Sequence, residues 1–204
     1  MKDSLNILLV GESGVGCNQL SNITSGSGFN EGEPCVTGHK YITKNVFIKN
    51  KEYGIRLWNG PGQEKYRGLR KTFLKMSNIV IFVYDITDSH SFLELNYHIN
   101  MAKEVLGDKF KGAIVGNKSD LYEKEKITEE EVRQLAKNNG YKYKFVSAKC
   151  DPNSFIFFLE ELVEDYFNEF KPLKKDKKSI EKEIRENNLK GKNLKIILSK
   201  YFNY

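Results

Sequence analysis

The chain has 204 residues, 39% of them hydrophobic and 12% aromatic, with a formal net charge of +6. That suits one folded domain with an extension, and no apolar run approaches the ~20 residues a membrane-spanning helix needs. The charge is uneven: residues 171–204 hold 11 Lys/Arg against 4 Asp/Glu, which leaves residues 1–170 close to neutral. A nucleic-acid-binding body is therefore not expected, and only the basic extension suggests a charged partner.

Taken in chain order, "LNILLV" (5–10) reads as a first strand and not as a leader peptide. "GESGVGCN" (11–18) follows it and opens a helix that carries Leu20 and Ile23. The glycines allow backbone N–H groups to turn inward around phosphate oxygens, and the helix adds its positive end. The loop lacks the Lys-Ser/Thr pair of the GxxxxGK[ST] pattern, with Cys17 and Asn18 in those places. By itself it is either a phosphate site or a plain strand-to-helix turn.

"KNVFIKN" and "YGIRLWN" flank Asn50-Lys51-Glu52 and read as a hairpin. "WNGPGQE" (58–64) reads as a Pro-Gly turn, and 63–76 as a helix. "IVIFVYDI" (79–86) is a strand buried on both faces. A helix over 89–106, with Ser89 as its cap, leads to a second buried strand, "GAIVG" (112–116). Thr128 and Glu131 predict a capping box for a helix that ends near Asn138-Asn139-Gly140. "YKFVS" (143–147) and a helix over 153–170 complete the pattern. This order predicts an α/β fold: a mostly parallel sheet with helices on both faces and ligand sites in the loops after residues 10, 58, 116 and 147.

The loop "GNKSD" (116–120) is the most specific of these. Asp120 can accept hydrogen bonds from both the N1–H and the exocyclic amine of guanine, a pair adenine does not offer. Asn117 can bond the base or tie loops together, and the stem of Lys118 can cover the ring. Backbone N–H groups of Ser147, Ala148 and Lys149 could meet the guanine carbonyl oxygen.

With these loops in hand, residues 4–170 resemble the Ras-like small GTPases, most closely the Rab branch. "LWNGPGQEKYRG" resembles the family's WDTAGQERFR segment, and "VYDITDSHSF", "VGNKSDL" and "VSAK" follow its pattern closely. The resemblance implies a P-loop NTPase small G-domain with a six-stranded, mostly parallel sheet, binding GTP or GDP with Mg²⁺. It implies nucleotide contacts from Gly11, Ser13, Gly14, Val15, Gly16, Cys17, Asn18, Phe29, Gly62, Asn117, Lys118, Asp120, Leu121, Ser147, Ala148 and Lys149. Phe29 falls where the family's aromatic packs against guanine. Gln63 matches the residue that orients the attacking water. Protein effectors or regulators would bind through residues 30–45 and 60–76.

The departures from the family pattern cluster on phosphate and metal. Cys17 replaces the Lys that contacts the β- and γ-phosphates, and Asn18 replaces the hydroxyl ligand of Mg²⁺. Asn59 replaces an Asp that holds a metal-bound water. The Thr of the first switch falls at Val36, so Thr37 serves as a metal ligand only if the loop slips by one residue. Mg²⁺ is accordingly expected to be weak or absent, and hydrolysis slow or absent. Two alternatives stand beside a slow GTPase: a nucleotide-free scaffold for protein partners, and a working GTPase that recruits another cation such as Lys40.

Three scattered cysteines (Cys17, Cys35, Cys150) carry no metal or disulfide pattern and suit a reducing, cytoplasmic setting. Cys17, at a helix start, is the reactive one expected. Cys150 is the last of them and the sequence closes on "SKYFNY", so no prenylated cysteine is expected. The basic segment 171–204, with Ile196, Ile197, Leu198, Tyr201 and Phe202 near its end, is expected either to pack on the body or to contact an anionic membrane or partner weakly.

Overall fold

The computed structural model describes residues 4–32, 40–48, 51–59, 67–107 and 109–170, without the side chains of Lys40 and residues 67–70. Six strands form one sheet in the order β2-β3-β1-β4-β5-β6. They are β1 (Ser4–Val10), β2 (Lys40–Ile48), β3 (Lys51–Asn59), β4 (Ile79–Asp85), β5 (Lys111–Asn117) and β6 (Lys142–Phe145). Only β2 runs antiparallel to its neighbour; β3, β1, β4, β5 and β6 pair in parallel. The α/β, mostly parallel fold anticipated from the sequence is the observed one.

Between the strands lie α1 (Cys17–Ser25), α2 (Arg67–Met76), α3 (Ser89–Leu93), α4 (Leu95–Leu106), α5 (Glu129–Asn139) and α6 (Pro152–Phe170). Strand residues alternate between faces. Leu8, Val10, Val80, Phe82, Tyr84 and Ile114 form one core with Leu74 of α2, Leu95 and Ile99 of α4, and Val132 and Ala136 of α5. Ile7, Leu9, Ile79, Ile81, Val83 and Val115 face the other way and are equally buried. Leu20 of α1 and Phe155, Leu159 and Leu162 of α6 are buried outside the first core. Both faces of the central strands are thus dry, which is why β4 and β5 read as unbroken apolar runs.

The chain divides into two compact units, Met1–Tyr166 and Phe167–Tyr204. The first holds the whole sheet. Of the second, the described residues are 167–170, the end of α6.

Several local expectations need correction. The helix expected over 89–106 is broken at Glu94 into α3 and α4. Its cap is Asp88, whose carboxylate accepts the His90 N–H at 3.0 Å, and not Ser89. Asp is as good an N-cap as Ser, and here it lies one residue earlier. β6 stops at Phe145, because Ser147 bridges to Asp151 instead of extending the ladder. Lys51 and Glu52, read as part of the hairpin turn, pair with Ile48 and Phe47 inside the sheet. The capping box of α5 is present in full: Thr128 accepts the Glu131 N–H, and the Glu131 carboxylate accepts the Thr128 N–H.

Candidate functional site

Register places the ends of the parallel strands along one edge of the sheet. Leu9 pairs with Asn59, Val10 with Phe82, and Asp85 with Asn117. The loops that leave these ends are the glycine loop, the "NKSD" loop and the "SAK" loop.

The glycine loop is shaped by its glycines. Gly14 and Gly16 have φ of 88° and 99°, a left-handed conformation that side chains disfavour. A Cβ on Gly16 would also run into the Asn117 amide, and one on Gly11 into the Val83 carbonyl. Gly16 is the N-cap of α1 and has no side chain with which to cap the first turn. The positive end of α1 therefore faces the loop, as an anion site requires.

Asn117 makes one of the two kinds of connection that the sequence allows it, the tie between loops. It is buried; its Nδ2 donates to the Val15 carbonyl at 2.8 Å, and its Oδ1 accepts the Ala148 N–H at 3.3 Å. It is the tie between the phosphate-type loop and the base-type loops. Asp120 is held beside it: the Ser147 hydroxyl donates to Asp120 Oδ1 at 2.6 Å and accepts the Cys150 N–H at 2.9 Å. A carboxylate fixed in this way presents its acceptors in one orientation. Lys118 carries φ 65°, the only positive φ outside glycine among the described residues. Its ammonium lies 2.6 Å from Asp85 Oδ2. Burial alone would raise the Asp85 carboxyl, but Lys118 and the N–H and hydroxyl of Thr87 outweigh it and hold Asp85 below the usual carboxylate range. Leu121 is exposed, in the 3₁₀ turn Ser119–Lys124.

A second clasp arranges Phe29. Gln19 Nε2 donates to the Asn30 carbonyl at 2.6 Å, and the Asn30 N–H returns to Gln19 Oε1 at 2.9 Å. Lys149 pairs with Glu31 at 3.0 Å and lies 5.8 Å from the Phe29 ring centroid. The Glu31 carboxylate beside it raises the Lys149 ammonium above its ordinary value. Phe29 is 38% exposed at the margin of the SAK loop, a ring surface open to a flat ligand.

Three participants escaped the sequence reading. Asp85 had a findable signal, since it is an acid at the carboxyl end of a buried strand. Gln19 had none. His98 of α4 is buried, and its Nε2 lies 3.0 Å from Glu12 Oε1 of the glycine loop. No local pattern signals that contact, because its partner lies 86 residues away.

Asn18 and Asn59 meet directly, Asn59 Nδ2 donating to Asn18 Oδ1. Thr37, Gly62 and Gln63 lie outside the described residues, as do Val36 and the side chain of Lys40. Among the described residues no group of three or more His, Cys, Asp or Glu could hold a metal.

The sequence pattern described as the Ras family matches residues 6–167. The chain is 32% identical over 154 residues to the Ras-related protein Rab-21 of Geodia cydonium, covering 76% of this chain and 67% of that one. It is 30% identical over 157 residues to the Rab-21 of Homo sapiens, covering 77% and 70%. To the Ras-related protein SEC4 of Saccharomyces cerevisiae it is 31% identical over 163 residues, covering 79% and 75%.

Proposed function

The chain belongs to the Ras family, and from that premise we propose that it is a guanine-nucleotide-binding regulator of intracellular vesicle traffic or signalling with slow or absent GTP hydrolysis. The observation that carries the reading is Asn117, which joins the glycine loop to the SAK loop while Ser147 holds Asp120 beside it. A base on Asp120 and Phe29 would then lie on the same loop assembly as a phosphate on the glycine loop. The traffic part is drawn from the kinship with Rab proteins alone.

Slow turnover follows from what the phosphate half lacks. Phosphoryl transfer is accelerated almost entirely by positioned positive charge. Cys17 is short and brings no positive charge where the family has Lys. Losing a charged hydrogen bond removes about 1.5–3 kcal/mol, so losing Lys contacts and weakening the metal lowers affinity by about 10²–10⁴. A very tight ancestral site tolerates that loss for binding. Catalysis does not, because Gln63 can only orient a water toward a phosphate that is already polarised.

A partner surface is supported by an aromatic strip. The rings of Tyr41 and Trp58 are 4.6 Å apart and those of Trp58 and Phe73 5.4 Å. Tyr41 is 53% exposed, and rigid exposed aromatics suit a protein partner. The basic segment 171–204 would add a weak, salt-sensitive attraction to an anionic membrane or partner. No described helix is long and apolar enough to cross a membrane.

The test is the nucleotide content of freshly purified protein, released by denaturation and separated by chromatography. GDP or GTP at near one equivalent is expected. Protein that is empty, and that stays empty when incubated with GDP, overturns the nucleotide reading in favour of a scaffold.

A further inference from the structure

Asn59 ends β3, and Asn18 lies in the first turn of α1, 41 residues away in sequence. Their amides pair directly. Asn59 is 5% exposed, and its Oδ1 is buried with no hydrogen-bond partner among the described residues. Turning both amides over exchanges donor and acceptor and leaves the pair intact.

These two positions are where the resemblance puts the Mg²⁺ hydroxyl ligand and the carboxylate that holds its water. The residues present do not fit that ion. Mg²⁺ takes hard, preferably anionic oxygens in octahedral array. Here both side chains are neutral amides, and whichever way the pair is turned each gives one polar atom to the other and neither offers an anionic oxygen.

We propose that the Asn18–Asn59 pair is a metal-free strut that fixes the start of α1 to the end of β3, a connection made without Mg²⁺. It extends the guanine-nucleotide reading and rests on it in one respect: a bound nucleotide would be retained equally well with or without the metal. The pair also holds on its own account. Asn59 is buried, which shields its side of the pair from competing water and makes its worth depend on Asn18. Replacing the pair by a hydroxyl at 18 and a carboxylate at 59 would remove both amides and supply the anionic oxygen that a cation needs and the native pair lacks.

The test uses the full chain. Thermal melts without nucleotide are compared for the native protein, Asn18→Ala, Asn59→Ala and the double variant. The double variant is expected to lose about as much as the worse single variant. The native melt is expected to be the same in MgCl2 and in EDTA, within about 1 °C. Release of fluorescent GDP is expected to change less than about twofold on chelation, whereas Asn18→Ser/Asn59→Asp should make release about tenfold or more sensitive to it. If Asn59→Ala does not fold, the cycle is run with Asn18→Ala against Asn59→Gln. Additive losses, an Mg²⁺ shift of the native melt, or tenfold faster GDP release on chelation would each overturn the strut. Failure to bind GDP at all refutes the nucleotide reading, and the melt cycle then decides the strut.

Discussion

Lys118 and Asp85 form an ion pair, Nζ to Oδ2 at 2.6 Å, that joins the base-reading loop to the end of β4. Lys118 holds a left-handed backbone in this loop without being glycine. Asp85 is also bonded by the N–H and hydroxyl of Thr87, each at 2.8 Å. The pair therefore fixes the start of the loop that carries Asp120.

Asp85→Asn should lower stability at neutral pH by about 1–2 kcal/mol, toward the low end because Lys118 is partly solvated. The folded carboxyl is held below its ordinary value, so its contribution is complete above the unfolded pKa and is lost as pH falls through the folded one. Denaturant melts of native and variant protein should differ at pH 7 and converge in acid. A gap that persists unchanged at pH 2 would mean the ion pair is not its source.

Asn117→Ala leaves the Val15 carbonyl and the Ala148 N–H without their bonds. A cost of about 1–3 kcal/mol per buried group left unpaired is expected, read as a lower midpoint in urea. Guanine nucleotide should be lost in parallel, because both loops come adrift together. Gly16→Ala should act on the same junction, through its φ of 99° and the clash with Asn117.

Asp120 should set the choice of base. Titration should show GDP and GTP binding clearly better than ADP and ATP. Asp120→Asn should weaken guanine and favour xanthine, whose second carbonyl accepts the amide N–H. Equal affinity for ATP and GTP in the native protein contradicts this.

Restoring the missing phosphate and metal groups tests why turnover is slow. Cys17→Lys with Asn18→Ser should tighten GTP binding and make it depend on Mg²⁺, by up to about 10²-fold. Single-turnover assays of the native protein should show hydrolysis no faster than the intrinsic rate of the family. Brisk Mg²⁺-dependent hydrolysis by the native chain would contradict the prediction.

The basic segment can be tested by co-sedimentation with anionic liposomes at about 50 and 300 mM salt, comparing the full chain with residues 1–170. The full chain should bind only at low salt and the truncation not at all. Equal behaviour of the two would leave packing on the body as the account of residues 171–204.

The sequence by itself determined the fold class, since apolar runs alternating with helical patterns leave few arrangements besides a mostly parallel sheet. It also marked the glycine loop, "NKSD" and "SAK" as the loops that matter, because their residue types have few other uses at strand ends. What it could not give was pairing across the chain. Asn117 could bond a base or tie loops, and only the approach of Val15 and Ala148 shows which loops it ties. Gln19 gained its meaning from Asn30, and His98 from Glu12 across 86 residues. Asn18 and Asn59 read separately as two lost metal ligands; brought together at the edge of the sheet, they are one hydrogen-bonded pair. The physical reason is that a periodic pattern is local and is written along the chain. The partner of a polar side chain is whichever group the folded backbone delivers within about 3 Å of it.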